Sequence, residues 1–510
     1  MLKTLFVGAP LRRDQIASIS RPKAAPTFIQ TMHDCHNYSQ PSSRRDFLTK
    51  IAYGVGSAAL GSIFANNGYG AAKLSYTSKH EAKAKRVIFL FQSGGPSHLD
   101  LFDPKPQIAT RFGQDVPKSV FGGQRVTGMV SNQDRFVVVP SKYAFEPAGQ
   151  CGMELSELLP WTKKIADEIC LIRTAHSEAI NHDPAITFFQ TGSQQPGRPS
   201  MGAWVDYGLG TGNNNLPSFV VMNSVASEGS AGQGLLSRLW GAGFLSSKHQ
   251  GVQFRGGDDP VLYLRNPPGF GLKRRRAFLD SLETLNSRNQ ERVGDPEIES
   301  RIAQYEMAYR MQTSVPDLAD LSDEPESTYQ LYGDDAKTPG TYAANCLMAR
   351  RLSERGVRFV QLYHRGWDHH GSLHKRLPVS TRDTDQASAA LVMDLKRRGL
   401  LDDTLVIWGG EFGRTVYGQG DPKPDAYGRD HHGKTFSLWM AGAGIKKGHI
   451  HGASDDFGFN IAEGGVHIHD IQATILQQLG IDHEALTYKY QGRQYRLTDV
   501  HGKVINGILG

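Results

Sequence analysis

Arg86-Val87-Ile88-Phe89-Leu90-Phe91 runs directly into Gln92-Ser93-Gly94-Gly95-Pro96. A continuous apolar run of this length that stops at a glycine-rich turn is the pattern of a strand buried on both faces. Similar short runs recur at Glu168–Arg173, Ser218–Met222, Val357–Tyr363, Thr404–Trp408 and Phe436–Met440. Helical periodicity lies between them, at Glu154–Asp167, Lys273–Val293, Glu297–Gln312, Tyr342–Arg355 and Asp383–Arg398. Strands alternating with helices predict an α/β fold, with a mostly parallel central sheet and helices on both faces. From Arg274 to Leu331 the chain is charged and helical, which predicts a helical insertion at about 273–331 within one α/β domain.

The chain has 510 residues and a formal charge of +6, unevenly distributed. Residues 1–80 carry ten basic residues against three acidic ones, a net of +7, which leaves the remainder at −1. A body of that charge offers no polyanion groove, and nucleic acid is excluded as a partner. Within the leader, Ser43-Arg44-Arg45-Asp46-Phe47-Leu48 precedes the uncharged, glycine-softened run Ile51 to Ala65. Paired arginines before a mildly apolar stretch predict a twin-arginine export leader over residues 1–72. The expected partner in transit is the twin-arginine translocase, and the expected destination is the periplasm or cell envelope. No window of about 18 apolar residues follows the leader, so the body is not expected to span a membrane. The four cysteines form no CxxC pair, which excludes a cysteine zinc cluster and leaves at most a Cys151–Cys170 bridge.

In a parallel sheet, ligands bind beyond the carboxyl ends of the strands. Twelve of the 19 histidines fall in residues 364–510, and many follow predicted strands. Val357–Tyr363 leads into His364-Arg365-Gly366-Trp367-Asp368-His369-His370. Thr404–Trp408 leads into Gly409-Gly410-Glu411-Phe412-Gly413-Arg414, and Gly428-Arg429-Asp430-His431-His432-Gly433-Lys434 precedes the next strand. Asp368, His370, Glu411 and His431 are therefore the expected ligands of a divalent cation, whether zinc, manganese, calcium or magnesium. Arg414 admits two roles, a clamp on an anionic substrate oxygen or a structural partner of Glu411. Lys434 is placed to neutralise a leaving group.

These residues, together with Gly94-Gly95-Pro96-Ser97-His98-Leu99-Asp100-Leu101-Phe102-Asp103-Pro104-Lys105 and Leu486-Thr487-Tyr488-Lys489-Tyr490-Gln491-Gly492-Arg493, resemble the exported sulfatase-like family called domain of unknown function 1501. The resemblance covers about residues 85–508. It implies an alkaline phosphatase-like fold, in a superfamily that binds one or two metals at the strand ends. The segment His182-Asp183-Pro184-Ala185-Ile186-Thr187-Phe188-Phe189-Gln190-Thr191-Gly192 has the spacing of the sulfatase nucleophile helix. His182 stands where that helix carries the cysteine that becomes formylglycine, so ordinary sulfatase chemistry is not expected. Three possibilities follow: attack by His182 on phosphorus, attack by cation-activated water with His182 or Asp183 as base, or binding of an anion without turnover. The resulting expectation is an exported metal-dependent hydrolase of phosphate or sulfate esters, acting on a small anionic ester or a sulfated or phosphorylated glycan. The alternative is a non-catalytic sulfatase-like protein that binds an anionic polysaccharide or an envelope partner.

Overall fold

Successive residues of the first strand enter two different cores. Val87, Phe89 and Phe91 join one buried cluster, and Ile88 and Leu90 join another. Since side chains alternate across a strand, this division means that both faces of the sheet are covered. Burying each of these side chains contributes roughly 1.5–3 kcal/mol relative to exposure. The computed structural model describes residues 81–227, 234–257 and 259–510, and the expected leader at 1–72 lies outside them.

The sheet has nine strands: β1 (Arg86–Gln92), β2 (Ile169–His176), β3 (Phe219–Ser224), β4 (Val252–Phe254), β5 (Phe359–His364), β6 (Thr404–Gly409), β7 (Phe436–Ala441), β8 (His449–His451) and β9 (Val466–His467). Their order is β8-β2-β7-β6-β1-β5-β3-β4, with β9 also pairing β2. β1 pairs in parallel with β5 and β6 on its two sides. Only β7 runs against its neighbours, being antiparallel to both β2 and β6. Because β7 is reversed, its beginning lies at the edge where the other strands end. The predicted α/β class with a mostly parallel sheet is what the chain adopts.

Helices α1 (His182–Thr191), α2 (Met201–Leu209) and α7 (Ile468–Gln478) cover the face of Val87 and Phe89. Helices α5 (Tyr342–Glu354) and α6 (Leu373–Arg397) cover the face of Ile88 and Leu90. The segment expected to be an insertion forms α3 (Leu272–Val293), α4 (Pro296–Ala319) and a short helix at Glu326–Tyr332. Met311, Val315 and Leu318 tie α4 to the core, whereas Leu279 is the buried residue of α3.

Two expectations about elements fail. Glu154–Asp167 is not a helix: Met153–Ser156 is a strand in a hairpin with Phe145–Ala148, followed by a 3-10 helix at Thr162–Glu168. Pro160 disfavours helical backbone at the residue before it, which breaks the expected helix in its middle. Conversely, α6 begins ten residues before the expected Asp383. Pro378 lies within it, and the carbonyl of His374 that Pro378 cannot serve accepts from the Tyr143 hydroxyl at 3.2 Å. Cys151 and Cys170 are free thiols. No described helix is long and apolar enough to cross a membrane.

Candidate metal centre

Three strand ends deliver side chains to one place. β2 ends at His176, and the loop beyond it opens α1, whose first residue is His182. β5 ends at His364, and its loop carries Asp368 and His370. Beyond β6 come Glu411 and a two-stranded ribbon, Gly413–Gly418 paired with Arg429–His432, which brings His431 back before β7 starts.

Two glycines let these segments meet. A Cβ on Gly94, whose φ is +122°, would lie 2.6 Å from the backbone nitrogen of Asp368. A Cβ on Gly428 would lie 2.0 Å from the carbonyl carbon of His370. Both are below any tolerable contact, so the Asp368 loop is pressed between the β1 turn and the ribbon. Gln92 anchors the same loop, accepting from the Trp367 indole at 2.9 Å.

One ligand atom each from His182, Asp368, His370 and His431 lies within 4.8 Å of the others. Asp368 Oδ1 is 2.8 Å from His370 Nε2, 3.2 Å from His182 Nε2 and 3.3 Å from His431 Nε2. The Nε2 atoms of His370 and His431 are 2.9 Å apart. Ligand atoms sharing one tetrahedral cation at bonds of about 2.0–2.1 Å stand about 3.3 Å from one another, close to this spacing.

The outward ring nitrogens fix the chemistry of the inward ones. His431 Nδ1 meets the Ile180 carbonyl at 2.8 Å, His370 Nδ1 meets Gln419 Oε1 at 2.6 Å, and His182 Nδ1 meets Glu411 Oε1 at 2.6 Å. Each is an acceptor, so each Nδ1 carries the proton and Nε2 is the atom turned to the centre. Burial, reinforced by the Arg414 charge, lowers the His431 pKa to about 3 against the pull of Asp368, so this imidazole is neutral. The Nε2 atoms of His431 and His370, 2.9 Å apart, stand at a spacing that one shared cation would satisfy. Burial also draws His182 down, but the hydrogen bonds and charges of Asp368 and Glu411 outweigh it and its pKa lies above the ordinary value. Burial opposes ionisation of Asp368, and the three imidazoles and Arg414 nevertheless hold its carboxyl far below the usual range. Three imidazoles oriented from behind, converging on a carboxylate, fit a divalent cation.

The expected site residues thus separate. Asp368, His370 and His431 come together as expected, and His182 joins them. Glu411 does not join the cluster: it is fully buried, both its oxygens accept from the Gly94 N–H at 3.0 and 3.2 Å, and it holds the back of His182. Arg414 is also fully buried and faces Asp368 at 2.7 Å. Its remaining bonds go to the carbonyls of Gly94, Gly95, Trp367 and Arg429, so it shapes the Asp368 loop and neither pairs Glu411 nor faces solvent. Asp183 is exposed and paired with Arg238. Lys434 is exposed on the rim of a cavity that includes His431.

Three supporting residues went unread in the sequence. Gln419 orients His370. Asp100 takes Arg429 in a fully buried ion pair, 2.8 Å from Nε, and so fixes the strand that carries His431. Thr127 donates to Asp430 at 2.7 Å in the same strand. Asp100 lies in the motif Ser97–Lys105, but only its complete burial, which the sequence does not show, marks it as a residue that needs a charged partner.

No curated protein matches the sequence. Among solved structures, the chain is similar to an alkaline phosphatase from the Antarctic bacterium TAB5 at 12% identity and a TM-score of 0.33, over 79% of this chain and 99% of that one. It is similar to the PsFucS1 sulfatase from Pseudoalteromonas sp. at 12% identity and a TM-score of 0.32, over 79% of this chain and 69% of that one. A protein in the alkaline phosphatase superfamily from Vibrio parahaemolyticus gives 11% identity and a TM-score of 0.35, over 81% and 70%. The sequence pattern described as "Protein of unknown function (DUF1501)" matches residues 84–509, and the chain belongs to that family.

Proposed function

We propose that the protein is an exported, metal-dependent hydrolase of phosphate or sulfate esters, with His182, Asp368, His370 and His431 as the ligands of its cation. The observation that carries this reading is the convergence of three back-oriented imidazoles on one carboxylate at the strand ends. Placing His182 in the ligand set and Glu411 behind it makes three nitrogens to one oxygen, a set that favours zinc or another imidazole-binding metal over magnesium or calcium. When bound, such a cation supplies Lewis acidity toward an ester oxygen and lowers the pKa of water.

The chain's own residues prepare that chemistry. Asp368 brings the negative charge, Arg414 fixes its Oδ1, and Glu411 holds the proton on His182 Nδ1 so that Nε2 faces the centre. In the net reaction water's oxygen ends on phosphorus or sulfur, the ester bond to the alcohol oxygen breaks, and the alcohol leaves with a proton. A panel of aryl phosphate, phosphodiester and sulfate esters tests this on metal-loaded protein, with Asp368→Ala and His431→Ala as controls. Turnover lost in both variants supports the assignment, and turnover retained in both places the site elsewhere. Anion binding without turnover of any ester would favour the non-catalytic alternative. Export rests on Arg44 and Arg45: Arg44→Lys with Arg45→Lys should hold the protein in the cytoplasm, and unchanged fractionation would count against twin-arginine transport.

A further inference from the structure

Beside the four-residue centre lies a cavity of about 200 Å³ that shares His431 with it. Pockets for drug-sized ligands run to roughly 300–1,000 Å³, so this space takes one ring-sized group rather than a long chain. Its walls are aromatic in part: Phe459 stacks on His432 with centroids 4.2 Å apart, and Phe121 lies parallel to Phe459 at 6.0 Å. Its charged lining is unbalanced. Arg125 and Lys434 are both exposed, and among the described residues neither forms an ion pair. The one carboxylate lining the cavity, Glu178, is already engaged by His467 at 3.0 and 3.1 Å.

Two unengaged cations lining the same cavity as an aromatic wall, next to a site that handles one anionic ester, call for a second anion on the same ligand. We infer that this cavity receives the non-reacting part of the substrate and selects esters whose alcohol portion is a single ring bearing a further anionic substituent. Arg125 and Lys434 take the second anion, and Phe459 and Phe121 take the face of the ring. This deepens the hydrolase reading and rests on it for the position of the reacting ester.

The test compares 4-carboxyphenyl phosphate and sulfate with phenyl phosphate and sulfate on the metal-loaded protein. The wild type should prefer the carboxylated member of the better pair by about tenfold in kcat/KM. That preference should fall to about unity in Arg125→Gln with Lys434→Gln, and reverse below unity in the Glu counterparts, where like charges repel. A preference that persists in the double Gln variant, or its absence in the wild type, overturns the inference. Should no ester be hydrolysed, the hydrolase reading fails, and the inference is then decided by equilibrium binding of the same phosphates. Tighter binding of the carboxylated phosphate that vanishes in the double Gln variant supports the subsite, and equal binding overturns it.

Discussion

Glu411 sits just past the end of β6, where a sheet of this class presents its ligands, yet its carboxylate is spent on the Gly94 N–H and on His182. Position at a strand end was legible in the sequence. Whether a side chain faces the centre or supports another from behind was not, because that depends on a backbone donor 317 residues away. The same limit explains Arg414, whose partners are carbonyls from three separate segments. His182 was visible as a departure from the sulfatase pattern, but its place among the ligands needed the loop after β2 to fold. Glu411→Gln keeps the shape and removes the charge behind His182. It should weaken metal affinity by roughly 10–100-fold without abolishing binding, as for other residues that orient a metal-binding histidine. Titration against a competing chelator reads this directly, and complete loss of metal would instead make Glu411 a ligand.

The element that decides the geometry is the ribbon Gly413–Gly418 with Arg429–His432. Its four-residue strand is polar and charged throughout, Arg-Asp-His-His, and no periodicity rule identifies it as a strand. It is nonetheless fully buried, because Asp100 pairs Arg429, Thr127 pairs Asp430, and the Phe459 carbonyl accepts from His432 at 2.7 Å. The apolar core strands carry their own signal, and their bounds lie within a few residues of the apolar runs. The site-bearing strand gets its order from distant polar partners, which no local pattern of residues reveals. Gly428→Ala should push the ribbon away from His370, costing roughly 1–3 kcal/mol by overpacking. Urea denaturation measures the cost, and metal titration should show weakened binding with an unchanged circular dichroism spectrum.

At the scale of the whole molecule, burial of histidine couples the fold to pH. Burial lowers His432 to about 3 and His469 to about 4, against about 6.5 for an unfolded imidazole. Between those values the unfolded chain binds more protons, so stability is full above about pH 6.5 and falls as pH drops through the window toward 3–4. At pH 5 each of the two should cost roughly 2 kcal/mol relative to neutral pH, which urea midpoints at pH 7.5 and pH 5 would show. The candidate metal centre draws on three separated segments of the chain, so a bound cation should raise the thermal midpoint as well. The central claim is that these three segments hold a cation through His182, Asp368, His370 and His431. The most direct measurement is metal content by mass spectrometry on the purified protein, for the wild type and for His182→Ala and His431→Ala. The account predicts stoichiometric divalent metal in the wild type and its loss in both variants. A wild type without stoichiometric metal, or variants that keep it, would contradict the account.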